Sequence, residues 1–359
     1  MNAVADTVDW ALAEQVAARF AGSDDFSESY HAVGMADDFA RLTHEAQGFV
    51  EAEVGFSSLA GPARARVVDR ADWVRANIAS YRRLLRPVLD QMDERMSGPV
   101  AVVSGKVAGA ELGALLGWMS SKVLGQYDLL VLEDEDPEDQ DVVYYVGTNI
   151  LALEKRHSFP PEQFRMWVAL HEVTHRTQFT GVPWLRQHFL DLVAGLLGDA
   201  QVDPTRMFTA VGRIAQGVRT RSNPLDDGGL SALFASREQR EVMDSLGGLM
   251  SLLEGHGDVT MDRAAQDRVP QAERFAKVLR ARRRDMGIAQ RLLTRLIGLE
   301  AKLNQYEQGE QFIEAVEDVG GPQLLNRAFE DPANLPSRAE IIAPSTWLAR
   351  VAPEQRLAG

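Results

Sequence analysis

Apolar and polar positions alternate with a helical period over most of this chain. Val8–Phe20, Met35–Val54 and Arg70–Met92 carry apolar residues at three- and four-residue spacing, which predicts amphipathic helices. The turn-rich Gly22-Ser-Asp-Asp25 separates the first two. Pro99-Val-Ala-Val-Val103 is a short apolar run that suits either a strand or the start of a helix. Gly109, Gly113 and Gly117 recur every four residues within Val107–Val123, which predicts a helix lying close against a neighbour in the core. Two β-rich runs, Tyr127–Leu132 and Val142–Ile150, flank the acidic segment Glu133–Asp141 and read as a hairpin. The acidic segment itself reads as a solvated tip, because it lacks the glycine of a calcium-binding loop.

Pro160-Pro161 opens a further helix and Gly181-Val-Pro183 closes it. More helix is expected over 185–220, from about Glu238 to Ala265, and onward to about Val316, with Arg221–Gly229 as a loop. The pattern therefore predicts a mainly α fold with a small β-sheet, of the α+β class. It divides into an N-terminal helical region, 1–95, and a larger region, 96–359, that intertwines with it as one unit.

Composition narrows the functional classes. The chain has 359 residues, 45% of them hydrophobic and 25% charged, as in a soluble globular protein with a substantial core. A formal net charge of −14 argues against binding nucleic acid through its phosphates. The basic run Arg280-Ala-Arg-Arg-Arg284 reads as a solvated helix face. With no cysteine, disulfides and thiolate metal sites are excluded. The first twenty residues include Asp6, Asp9 and Glu14 and lack a basic n-region, so no signal peptide is expected. The most apolar stretch, Val107–Gly125, is interrupted by Glu111 and Lys122, so no membrane span is expected and the compartment reads as cytoplasmic.

The chemistry concentrates at His171-Glu-Val-Thr-His175. Positions i and i+4 share a helical face, so His171 and His175 can offer two imidazoles to one metal ion. Glu172 then lies beside the metal, where a carboxylate can act as general base toward water. A catalytic zinc ordinarily takes three protein ligands and keeps one position open, so a third ligand is needed. Ser251-Leu-Leu-Glu-Gly-His-Gly-Asp258 is the candidate. Around a helix measured from Glu254, Gly247 falls at about 20°, Asp258 at about 40° and Ser251 at about 60°. Such a stripe suits a place where a second helix approaches closely. Glu254 is the expected third ligand, and Asp258 would hold the outer ring N–H of a ligand histidine. His256, at about 200°, cannot point at the same ion from a regular helix.

An HExxH helix followed by a Glu-x-x-x-Asp helix resembles the glutamate-type zincin metallopeptidases. More narrowly, the chain resembles an actinobacterial zincin-like family associated with deazaflavin-coenzyme biosynthesis. The likeness runs through Val8-Asp9-Trp10, Asp69–Asn77, Val123-Leu-Gly-Gln-Tyr-Asp-Leu129, Phe164–Phe179, Ser251–Asp262, Gln305-Tyr-Glu-Gln-Gly309 and Pro344–Arg350. The resemblance implies a zinc-dependent hydrolase fold and leaves the substrate open. One departure is the separation of Glu254 from His175, much longer than in the simplest zincins. By analogy with zincins, Val142–Ile150 is expected to be an edge strand that receives an extended substrate.

A hydrolase also needs a donor for the oxyanion, and Tyr306 is the candidate. It shares a helical seam with Leu299, Leu303 and Ile313, and Gly309 would leave space beside it. A core tyrosine bonded to a buried partner is the competing reading. Gln178 falls on the face of the two histidines as a lining or orienting residue, and Trp167 would lie beneath the site. His188 reads as structural, and His31, His44 and His157 have no partner spacing. Three functions fit: a peptidase, an amidase acting on a small metabolite, and a non-enzymatic zinc-stabilised scaffold that binds a protein. Glu172 favours an enzyme, because a structural zinc needs no general base.

Overall fold

Val142-Val-Tyr-Tyr-Val146 is apolar at every position, as expected of a strand covered on both faces. In the computed structural model, which describes residues 8–22, 30–95, 99–129, 141–198, 237–284 and 299–353, it is the centre of a three-stranded sheet. The expected loop Arg221–Gly229, the acidic segment up to residue 140 and the expected helix beyond residue 198 lie outside the described residues. Two units are distinguished along the chain: 1–181 with 260–273, and 182–259 with 274–359.

In the first unit, helices α1 (Trp10–Ala21) and α2 (Tyr30–Val54) precede strand β1 (Arg64–Val68). Helices α3 (Arg70–Arg95) and α4 (Pro99–Ser120) follow, then β2 (Gly125–Tyr127) and β3 (Val142–Val146). Strand order is β1-β3-β2, with β1 parallel and β2 antiparallel to β3. Val142, Tyr144 and Val146 point into one layer, with Ala13, Ala17, Trp73, Val74, Ile78 and Leu116. Tyr145 points the other way. Phe39 stacks on it at 3.8 Å, and its hydroxyl shares a 2.8 Å hydrogen bond with Thr43. Burial drives the Tyr145 hydroxyl pKa far above its usual value.

The fold is mainly helical with a small sheet, as the periodicity predicts. Its strands differ from the expectation. Val142–Ile150 stops being a strand at Val146, and the chain turns into helix α5 (Gly147–His157). There the Asn149 carboxamide donates to the carbonyls of Ser120 and Val123, both at 2.7 Å, and its oxygen accepts from Arg70. These bonds hold residue 149 in a helix that a strand would break. Nor is β3 an edge strand. Arg64-Ala-Arg-Val-Val68, too short and too charged to stand out, pairs along its open side, so β1 and β2 are the two edges.

The glycine repeat in α4 does what its spacing implies. A Cβ at Gly109, Gly113 or Gly117 would lie 2.3–2.5 Å from the main-chain oxygens of Asp9, Ala13 and Ala17. The two helices therefore touch along their backbones, and Pro99–Val103 is the helical start of α4.

Helix α6 (Pro161–Gly181) completes the first unit's main elements. The second unit contains α7 (Leu185–Gly198), most of α8 (Arg237–Ala265) and α9 (Ala272–Arg284), and α10 (Leu299–Asn326). Short helices α11 (Arg338–Ile342) and α12 (Pro344–Val351) end it. Helix α10 kinks at Gly321, whose φ of 71° suits glycine, just before Pro322. Ser337 and Glu340 form a capping box at α11. The indole N–H of buried Trp347 donates to the Asn334 carbonyl at 2.7 Å while its ring meets Phe312 edge-on. Among the described residues, no helix is long and apolar enough to cross a membrane.

Candidate metal centre

Helix α6 is an unusually polar core helix. Arg165, Glu172, Thr174, Arg176, Thr177, Gln178 and Thr180 are all buried along it. Its two arginines are eleven positions apart and so share one face to within about 20°. Each is an anchor. Arg165 makes a bidentate pair with Glu154 of α5 at 2.8 and 2.9 Å and also pairs with Asp38 of α2. Arg176, fully buried, donates to Ser58 Oγ at 3.1 Å and to the carbonyl of Gly61 at 3.0 Å, with longer bonds to Pro62 and Asp141. Burial pulls its pKa below the usual arginine value, although guanidinium stays charged. Gly181 ends the helix where a side chain would strike Phe56 and Ser57.

With one face clamped, the imidazoles of His171 and His175 project from another, about 100° away. Both are partly exposed, and their rings meet edge-on with centroids 4.7 Å apart. Gln178 Oε1 lies 3.0 Å from His175 Nδ1. An amide oxygen can only accept, so Nδ1 carries the proton and Nε2 keeps the lone pair a metal would use. The orienting role expected of Gln178 has this geometry behind it.

Ligand atoms of His171, His175 and buried Glu254 lie within 4.8 Å of one another. Two imidazole nitrogens and one carboxylate oxygen are a donor set for zinc with a position to spare, whereas calcium and magnesium favour oxygen throughout. The residues fit the ion that the motif implies.

The face of α8 that meets α10 differs from the one expected. A Cβ at Gly255 would lie 2.4 Å from the Gly309 carbonyl carbon, and one at Gly309 would lie 2.1 Å from the Ser251 oxygen. Gly248 touches the backbone at Pro336–Arg338, while Gly247 has ordinary room beside Arg338. The close-contact stripe is thus Gly248, Ser251 and Gly255, turned about 90° from Glu254. Gly309, expected to leave space, is filled by backbone. Asp258 lies one turn beyond Glu254 and is partly exposed. Buried His256 sits against Phe329, with ring centroids 5.1 Å apart, and is outside the cluster of His171, His175 and Glu254. The side chain of Tyr306 is outside the described residues. Trp167 is buried beside Phe164, and Trp184 meets His188 edge-on.

Glu172 is buried, with 8% exposure, and its carboxylate lies against Gly125 of β2. Gly125, Arg165 and Arg176 do not stand out in the amino-acid sequence as parts of the site. A glycine inside a strand and two arginines on one helix face were the available signals.

The sequence pattern His171-Glu-Val-Thr-His175 thus lies on α6, and its two histidines belong with Glu254 to a group that could hold a metal ion. The chain belongs to the zincin-like metallopeptidase family, which it matches over residues 8–348. Among solved structures it is similar to a protein from Chloroflexus aurantiacus described as "a putative hydrolase with a novel fold". The identity is 29% and the TM-score 0.71, over 97% of this chain and 99% of that one. No curated protein matches the chain.

Proposed function

We propose that this chain is a zinc-dependent hydrolase of amide bonds, with a peptide as its substrate. The convergence of His171, His175 and Glu254, with Glu172 following the first histidine, carries this reading. When bound there, zinc would polarise a carbonyl and acidify water. His171, His175 and Glu254 hold it, and Gln178 fixes the ring of His175. Glu172 takes the proton from the attacking water and delivers it to the leaving amine. Asp258 serves the outer N–H of a ligand histidine. Tyr306, one turn before the crossing of α10 with α8, is the candidate donor to the oxyanion.

The edge strand β2 supports an extended substrate. In its antiparallel ladder the Val146 N–H donates to the Leu124 carbonyl, so Gly125 occupies the next, non-bonded position. Its N–H and C=O therefore point away from β3, beside Glu172, where a peptide could add a strand. An amidase acting on a small metabolite would use the same residues.

The test is hydrolysis of a diverse peptide library by wild type and by Glu172→Gln, with and without chelator. Chelator-sensitive cleavage should fall by about 10²–10⁴-fold in the variant, while zinc content and thermal stability hold. Cleavage that survives the substitution contradicts the assigned base. Zinc-loaded protein that cleaves no peptide contradicts the peptidase and leaves the metabolite-amidase and scaffold readings.

A further inference from the structure

Val123-Leu-Gly-Gln-Tyr-Asp-Leu129 is not part of the candidate metal group, yet its Gly125 lies close against Glu172. A Cβ built on Gly125 would lie 2.5 Å from Glu172 Cγ and 2.8 Å from both Cδ and Oε1. Non-bonded carbon atoms settle at about 3.5–4.0 Å, so no other residue fits beside this carboxylate as it stands. Gly125 is in strand conformation without a positive φ, so the backbone itself does not call for glycine. Glycine inside a strand costs stability and marks a close approach by another group. Here that group is Glu172, the base of the proposed reaction. Val173 and Thr174, which follow it, are fully buried, so the α6 backbone has little freedom to withdraw.

We propose that Gly125 is the positioning residue of Glu172: its missing side chain is the space in which the carboxylate lies. The carboxylate is thereby held against the edge of β2, beside main-chain groups directed toward an incoming strand. The consequence for rate rests on the hydrolase reading; the contact does not.

Two measurements on the full-length, zinc-loaded protein separate these. The first is thermal stability of Gly125→Ala in wild type and in a Glu172→Ala background. With Glu172 present, the added methyl meets its side chain and Tm should fall. With Glu172 truncated, the space is open and the same change should leave Tm level or raise it, since alanine restricts the unfolded chain more than glycine. Equal Tm shifts in both backgrounds overturn the contact. If Gly125→Ala does not fold, recovery of folding by the double substitution supports it, and failure to recover overturns it.

The second is kinetics. Gly125→Ala should lower kcat at least tenfold with KM and zinc content unchanged, and should cause no further loss when added to Glu172→Gln. A loss of the same size in both backgrounds, or a loss confined to KM, overturns the positioning role. If wild type hydrolyses nothing, the hydrolase reading fails and the stability comparison alone decides the contact.

Discussion

The two helices that carry the candidate ligands are held in different ways. Helix α6 is fixed by side-chain hydrogen bonds: Arg165 and Arg176 tie one face to α2, α5 and the 58–62 loop, and Thr180 donates to Ser58 at 2.8 Å. Around Glu254, helix α8 is fixed by backbone contact at Gly248, Ser251 and Gly255. The first device fixes orientation through charged forks with directional bonds. The second brings two main chains together and tolerates no added atom. A side chain that is to hold a metal needs its helix fixed in both rotation and depth, and the two helices are fixed by opposite chemistry.

Damage should therefore take different forms. Arg176→Met should have the largest effect on stability. It keeps most of the volume but strips donors from Ser58 and from the carbonyls of Gly61, Pro62 and Asp141. A loss of about 2–4 kcal/mol is expected from urea unfolding, because buried acceptors without donors are costly. A loss under about 1 kcal/mol would show that α6 does not depend on this anchor. Gly309→Ala should cost about 1–3 kcal/mol by the same measurement, despite alanine's better helix propensity, because it forces α8 and α10 apart. An unchanged or raised stability would break the comparison from the other side. Gln178→Leu should be mildest for folding and act on metal affinity instead, weakening zinc binding by about 10–100-fold in a chelator competition. Gln178→Glu, which keeps an acceptor at His175 Nδ1, should retain most of that affinity. Equal affinity for all three proteins would remove the orienting bond from the account.

These differences also explain what could be read from the sequence. The helices and the His171–His175 pair follow from periodicity and local spacing, which depend only on neighbours along the chain. The Gly109–Gly113–Gly117 repeat was legible for the same reason. Helix α8 shows the limit: its glycines announced a close approach, but rotation about the helix axis was set by α10, distant in sequence. The assumption of Gly247 rather than Gly248 and Gly255 is the result. Strand β1 was missed because its pairing with β3 is parallel and distant, and Arg64-Ala-Arg66 hides its short apolar end. That pairing makes β3 the central strand and leaves β1 and β2 as the two edges of the sheet. Gly125 lies within a segment that carries the family resemblance, but its meaning depends on Glu172 of α6 lying against it.

The direct test of His171, His175 and Glu254 as one proposed metal centre is metal content. Protein purified without added chelator should carry about one zinc per chain by mass spectrometry of the metal, as a three-ligand site binds a single ion. His171→Ala, His175→Ala and Glu254→Ala should each lose most of it after dialysis while remaining folded. Zinc retained at the wild-type level in the histidine variants would contradict the centre itself. Zinc lost in those variants but retained in Glu254→Ala would contradict Glu254 as the third ligand.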